Sequence, residues 1–243
     1  MPMIWLAVIA TPFVAGMLQT VTGFGAGMVI VMILSHFLDM VKAPALSSAI
    51  CAGLTVMLTW RFRKNIDLRL TLFPAVLYVA ASTSAIRFLK KIDVSFLSLA
   101  FGVFLVLISL YFVFLSNRIE FRATRTSGVV CALVSGICSG LFGIGGPPIA
   151  VYFLAATDSK EAYIANLQFL FFVSSILNLY TRSLQGIYTA DLIPLTIAGF
   201  VSINLGKRLG LKILGKLEGE VVKKIIYAFI GVSGILNIVD YFL

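Results

Sequence analysis

Charge is what this chain has least of. Asp and Glu together number ten in 243 residues, histidine occurs once and cysteine three times. Charged residues make up 12% of the sequence, where a soluble domain carries about 25%. No carboxylate falls deep inside an apolar run, so no buried proton relay is visible. Those runs also lack a Ser–His pair, an aspartate pair or a cluster of metal ligands. That argues against an intramembrane transferase or protease, and no catalytic group, metal or cofactor is expected. No nucleotide-hydrolysis motif is present, so any transport must be driven by ion gradients or exchange. Cys51, Cys131 and Cys138 sit in apolar runs at spacings that fit neither a disulfide framework nor a metal site, and read as small core residues. His36, near Asp39 at an expected helix end, reads as a solvated or capping histidine.

What is present is hydrocarbon. The sequence is 60% hydrophobic with a mean hydropathy of +1.05. Apolar runs near 20 residues recur along its length, which predicts an all-α polytopic membrane protein embedded in the lipid bilayer. The first run has no basic stretch before it and leads into more apolar sequence, so it reads as a span rather than a cleaved signal. The net charge of +9 does not point to nucleic acid, because the basic residues lie in short loops between runs.

The chain matches itself at an offset of 120 positions. "GMLQTVTGFGAGMVIVMIL" (16–34) lies over "GICSGLFGIGGPPIAVYFL" (136–154) without a gap. Gly16, Gly23 and Gly25 meet Gly136, Gly143 and Gly145, and Pro74 meets Pro194. The same offset places Gln19 on Ser139, Ser48 on Gln168, Thr55 on Ser175, Ser84 on Asn204 and Arg87 on Lys207. Two related halves follow, 1–120 and 121–243, joined through a basic stretch at 116–127. Each holds one long interrupted run and three plain ones: 3–38, 43–61, 68–89 and 94–116, then 127–157, 161–181, 188–206 and 221–242. Run 3–38 is too long for one straight crossing of a layer about 30 Å thick. It is therefore expected to turn back at its glycines.

Loop charges support the turn. With each interrupted run as a hairpin, five basic residues fall on one side and fourteen on the other. With each as a single crossing the split is nearly even, which orients nothing. The hairpin reading predicts inverted repeats, each a glycine-broken helical hairpin plus three transmembrane helices, 8–10 membrane helices in all. Both termini would lie outside the cytoplasm, which for a bacterial inner membrane is the periplasm.

The two breaks are "TGFGAGM" (22–28) and "FGIGGPP" (142–148). Glycine allows backbone that other residues resist, and proline suits the first turn of a new helix. Each break thus reads as a stop followed by a fresh helix N-terminus, whose unpaired N–H groups and partial positive charge favour an anion. The candidate substrate-binding residues are Gln19, Thr22, Gly23, Gly25, Gly27, Ser139, Gly143, Gly145, Gly146, Pro147, Asn166 and Gln168. Gly145 is expected to hold strained backbone and Gly136 to pack in plain helix. Thr20, Ser47, Ser48, Ser175, Asn178 and Asn204 are further polar candidates within apolar runs. Arg87, Arg182 and Lys207 stand at span ends, where snorkelling to the interface is expected. The alternatives are close helix packing at Gly-x-x-x-Gly, a channel for a small polar solute, and an intramembrane enzyme. A homo-oligomer is compatible with the sequence.

With "TGFGAG" duplicated as "GIGGPP", the size and the span pattern, the whole chain resembles the sulfite exporter TauE/SafE family of membrane permeases. The resemblance implies a secondary transporter of small sulfur-containing anions such as sulfite, sulfonates or sulfoacetate-like compounds, working by alternating access. Family members often carry further glycines and a proline after the first motif, whereas this chain continues Gly27-Met28-Val29-Ile30. The first half is therefore expected to give the weaker anion cradle.

Overall fold

The computed structural model describes residues 2–110 and 122–213, with Ile235, Ile238 and Val239. The run expected over 221–242 falls outside the described residues except at those three positions. So do the end of run 94–116 and the first part of the 116–127 linker. Among the described residues all regular structure is helical: α1 (Pro2–Thr22), α2 (Ala26–Leu34), α3 (Lys42–Phe62), α4 (Leu68–Phe88), α5 (Val94–Leu110), α6 (Arg125–Phe142), α7 (Gly146–Ala156), α8 (Lys160–Leu184) and α9 (Ile193–Ile213). Among the described residues six helices are long and apolar enough to cross a membrane. The protein is a multi-pass membrane protein.

Polar residues at the surface start most of the long helices. Asp39 accepts from the N–H groups of Val41 and Lys42 ahead of α3, and Asp67 from Arg69 and Leu70 in α4. Asp93 does the same for α5, Thr124 and Ser127 form a capping box for α6, and Ser159 caps α8. Each satisfies donors that a helix start leaves open.

The long apolar runs break where the glycines stand. α1 has 21 residues, a full crossing at 1.5 Å per residue. α2 has nine and α7 eleven, about 14 and 16 Å, which is near half the hydrocarbon thickness. The expected hairpin is thus unequal: one full-length helix followed by a short returning one. Their starts, Ala26 and Gly146, lie 120 positions apart.

Packing follows a pattern that survives exchange of the halves. α1 lies along α9 and α6 along α4, while α3 meets α8 at the centre. The close approaches use glycine: a Cβ on Gly16 would strike the Ile203 carbonyl, and one on Gly136 the Tyr78 carbonyl. Gly136 and Gly140 thus pack α6 on α4, as the packing alternative has it. Toward the lipid, Leu6, Trp60, Leu72, Phe73 and Ile197 are exposed. At one end of the bundle Lys42 pairs with Asp191 at 3.6 Å. At the other, the Asp67 N–H donates to Asn166, and Arg69 and Arg125 border one cleft with Ala156. That end also carries Arg63 over the Trp60 ring and Arg125 over Phe73.

Candidate functional site

α2 and α7 start without a side-chain cap from their N-cap residues, which are both glycine. Gly25 has φ of 103°, and Gly143, closing α6, has φ of 70°. Both are left-handed conformations that an L side chain resists by roughly 1–2 kcal/mol. The two breaks lie against each other. A Cβ on Gly27 would come within 2.9 Å of the Gly143 carbonyl, and one on Gly146 within 3.1 Å of Phe24.

Where they meet, the protein holds a partly open cavity of about 70 Å³, roughly two water molecules' share of liquid volume. Its wall includes residues that stand 120 positions apart: Gln19 with Ser139, Gly25 with Gly145, Gly27 with Pro147, Cys51 with Phe171 and Thr55 with Ser175. Ser47, Ser48, Ser174 and Asn178 add hydroxyls and an amide, and Tyr78 a phenol. Among the described residues no acidic or basic side chain lines it. Asn178 organises one side: its amide nitrogen donates to Ser139 and Ser174, both at 3.2 Å, and its oxygen accepts from Ser82 at 2.8 Å.

The open donors at the two helix starts differ. In α2, Gln19 accepts from the Ala26 N–H at 3.3 Å, while Gly27 and Met28 N–H groups have no protein partner among the described residues. In α7 the second and third residues are Pro147 and Pro148, which carry no N–H, and Ser135 accepts from Ile149 at 3.0 Å. Only Gly146 of the first α7 turn keeps an open N–H. The expected asymmetry therefore runs the other way by donor count: α2 offers more, because the prolines that start α7 remove theirs.

A family model described as Sulfite exporter TauE/SafE matches residues 8–236. The chain belongs to the TauE/SafE family. It is also 25% identical, over 92% of its own length and 91% of the relative's, to a protein described as "Probable membrane transporter protein" in Methanocaldococcus jannaschii. No solved structure matches it. The protein is thus a membrane transporter of the TauE/SafE family.

Within this TauE/SafE protein, eight of the twelve candidate residues come together at the cavity: Gln19, Gly25, Gly27, Ser139, Gly143, Gly145, Gly146 and Pro147. Four stand elsewhere. Gln168 lies behind Gln19, accepting from its amide at 3.2 Å and donating to the Gly23 carbonyl at 2.6 Å. Thr22 turns back, donating to the carbonyls of Leu18 and Phe24, and Gly23 has φ of 86°. Asn166 ties helix ends: its oxygen accepts from the Asp67 N–H and the Thr71 hydroxyl, and its nitrogen donates to Ala162. Its hydrogen-bonding groups are already engaged away from the cavity. Gly145 is also corrected: its φ is −122°, an ordinary value. What excludes a side chain there is crowding from Tyr78, Ser135 and Ser139.

Sequence reasoning missed Tyr78 and Ser174. A tyrosine ten residues from either end of a span is away from the interfacial belts where tyrosine concentrates, and that was the available signal. Arg182 departs from expectation most. It is fully buried rather than snorkelling, and its Nη2 donates to the Gly140 carbonyl at 2.7 Å and the Ser139 carbonyl at 3.5 Å. Arg87, by contrast, is exposed. His36 is exposed at the end of α2 with Nδ1 3.0 Å from the Met32 carbonyl.

Proposed function

We propose that this TauE/SafE transporter carries small oxyanions, sulfur-containing ones foremost, and holds them in the cavity between the two breaks. The observation that carries the proposal is the pairing of two helix starts, each with a glycine N-cap and at least one open N–H group, on one cavity that among the described residues no charged side chain lines. Open N–H groups at Gly27, Met28 and Gly146 are donors only, and each helix start adds a partial positive charge. The Ser139 and Ser175 hydroxyls and the second amide proton of Gln19 complete the shell, while Ser47, Ser48 and Asn178 already donate to Gly27, Pro44, Ser139 and Ser174. The open N–H groups and these remaining protons would meet the oxygens of a three- or four-oxygen anion. Charge-assisted hydrogen bonds of this kind contribute about 1.5–3 kcal/mol each. The family's description as a sulfite exporter supports the sulfur-containing class.

The mechanism we infer is alternating access about the cavity, with the halves as inverted repeats. Support comes from the chain directions in the packed pairs: α1 runs alongside α9, as Gly16 near Ile203 and Gly210 near Met17 require, and α6 runs alongside α4. α1 starts at the Lys42–Asp191 end, and α6 at the Arg69–Arg125 end. The latter end, rich in basic residues, would be cytoplasmic, with the N-terminus outside the plasma membrane. Purified protein in liposomes loaded with unlabelled sulfite should accumulate external labelled sulfite transiently and saturably. Flux that rises linearly with concentration would make it a channel, and no flux of any oxyanion would overturn the reading.

A further inference from the structure

Arg182 has no role in the mechanism so far, and its surroundings do not account for it. Its side chain is fully buried in the last turn of α8. Only Nη2 is bonded, to two carbonyls at the end of α6, while Nε and Nη1 are buried without a partner. Among the described residues no carboxylate pairs with it. A desolvated guanidinium without a counter-charge is strongly unfavourable. Holding the end of a broken helix does not require one. At the first break, the Thr22 and Gly23 carbonyls are held by the neutral Tyr163 hydroxyl and Gln168 amide, also from α8.

Position supplies the explanation. Ser174, Asn178 and Arg182 are spaced four apart, so they share one face of α8. The first two line the cavity. Ser139 is common to both: it lines the cavity, its hydroxyl accepts from Asn178, and its carbonyl accepts from Arg182. Arg182 thus stands one residue behind a neutral wall. Building on the proposed anion site, we infer that Arg182 is the fixed counter-charge of the cavity, a positioning residue that acts through Ser139 and its own field to favour anions of higher charge. Among the described residues nothing discharges it, and the solute completes it.

The test uses two tetrahedral probes of similar size and different charge, sulfate (−2) and methanesulfonate (−1), titrated calorimetrically against the purified full chain. A Coulomb term doubles with probe charge. Arg182→Gln should therefore weaken methanesulfonate by about fivefold and sulfate by about the square of that, roughly 25-fold. Arg182→Lys, which keeps the charge but loses the planar contact with the Gly140 carbonyl, should hold the sulfate-to-methanesulfonate ratio within about threefold of wild type. Equal weakening of both probes in Arg182→Gln would make the residue structural and overturn the inference while leaving the cavity proposal standing. If Arg182→Gln does not fold, Arg182→Lys decides alone: a retained ratio supports the charge role and a collapsed ratio overturns it. Wild-type protein that binds neither probe nor sulfite would remove the cavity proposal and this inference together.

Discussion

The two breaks perform one task with different chemistry. Both stop a long helix, start a short one 120 positions apart, and open on the same cavity. The first relies on backbone freedom, with Gly23 and Gly25 at positive φ, and on neutral amides: Gln19 at the α2 start, and Gln168 on the Gly23 carbonyl. The second has one positive φ, at Gly143, then two prolines, a serine holding the Ile149 N–H and an arginine on the α6 carbonyls. The backbone breaks at matching positions 120 residues apart, while the groups that satisfy each broken end differ. A symmetric frame can therefore present an asymmetric set of donors, two open N–H groups from α2 and one from α7.

The comparison can be broken at its glycines first. Gly145→Ala must displace Tyr78 and the Ser135 carbonyl, and should cost about 3 kcal/mol as overpacking. Gly25→Ala, limited mainly by its φ and a 3.3 Å approach to Leu18, should cost about 1–2 kcal/mol. Melting in detergent would rank them, and a larger loss for Gly25→Ala would contradict the assignment of crowding to one break and backbone strain to the other. Next is the amide staple. Gln19→Leu and Gln168→Leu should each cost about 1–3 kcal/mol by leaving buried partners unsatisfied. In the double variant they should couple by at least about 1 kcal/mol, and strict additivity would show that the pair does not act as a unit. Ser135→Ala, which orphans one N–H at the second break, should cost about 1 kcal/mol. Smallest is Arg87→Gln on the exposed end of α4, which should move stability by less than about 0.5 kcal/mol. A loss of sulfite affinity above about tenfold, or 1.4 kcal/mol, would instead place Arg87 on the solute's path.

The sequence made the helices legible because lipid forces every backbone group into internal hydrogen bonds, leaving long apolar runs as their signature. It made the breaks legible because Gly23, Gly25 and Gly143 stand where left-handed backbone is needed. The cavity wall was read in part. Gln19 and Ser139 stand beside the glycines in sequence, whereas Tyr78 and Ser174 reach the cavity only through the packing of α4 and α8. Asn166 and Gln168 were placed in the site because a buried amide needs partners. Their partners proved to be the α4 start and the first break. Arg182 departs from its reading because a position at a span end suggests the interface, whereas tertiary packing buries it beside the Ser139 and Gly140 carbonyls.

The central claim is that backbone N–H groups at the two helix starts hold the anion. Protein labelled with ¹⁵N-glycine, with Gly27 and Gly146 assigned through their alanine variants, provides the direct measurement. On titration with sulfite at constant ionic strength, the Gly27 and Gly146 amide protons should move downfield together and saturate at the affinity measured by calorimetry. Saturable sulfite binding that leaves both amides in place, while glycines elsewhere respond, would put the anion outside the cavity and contradict the account.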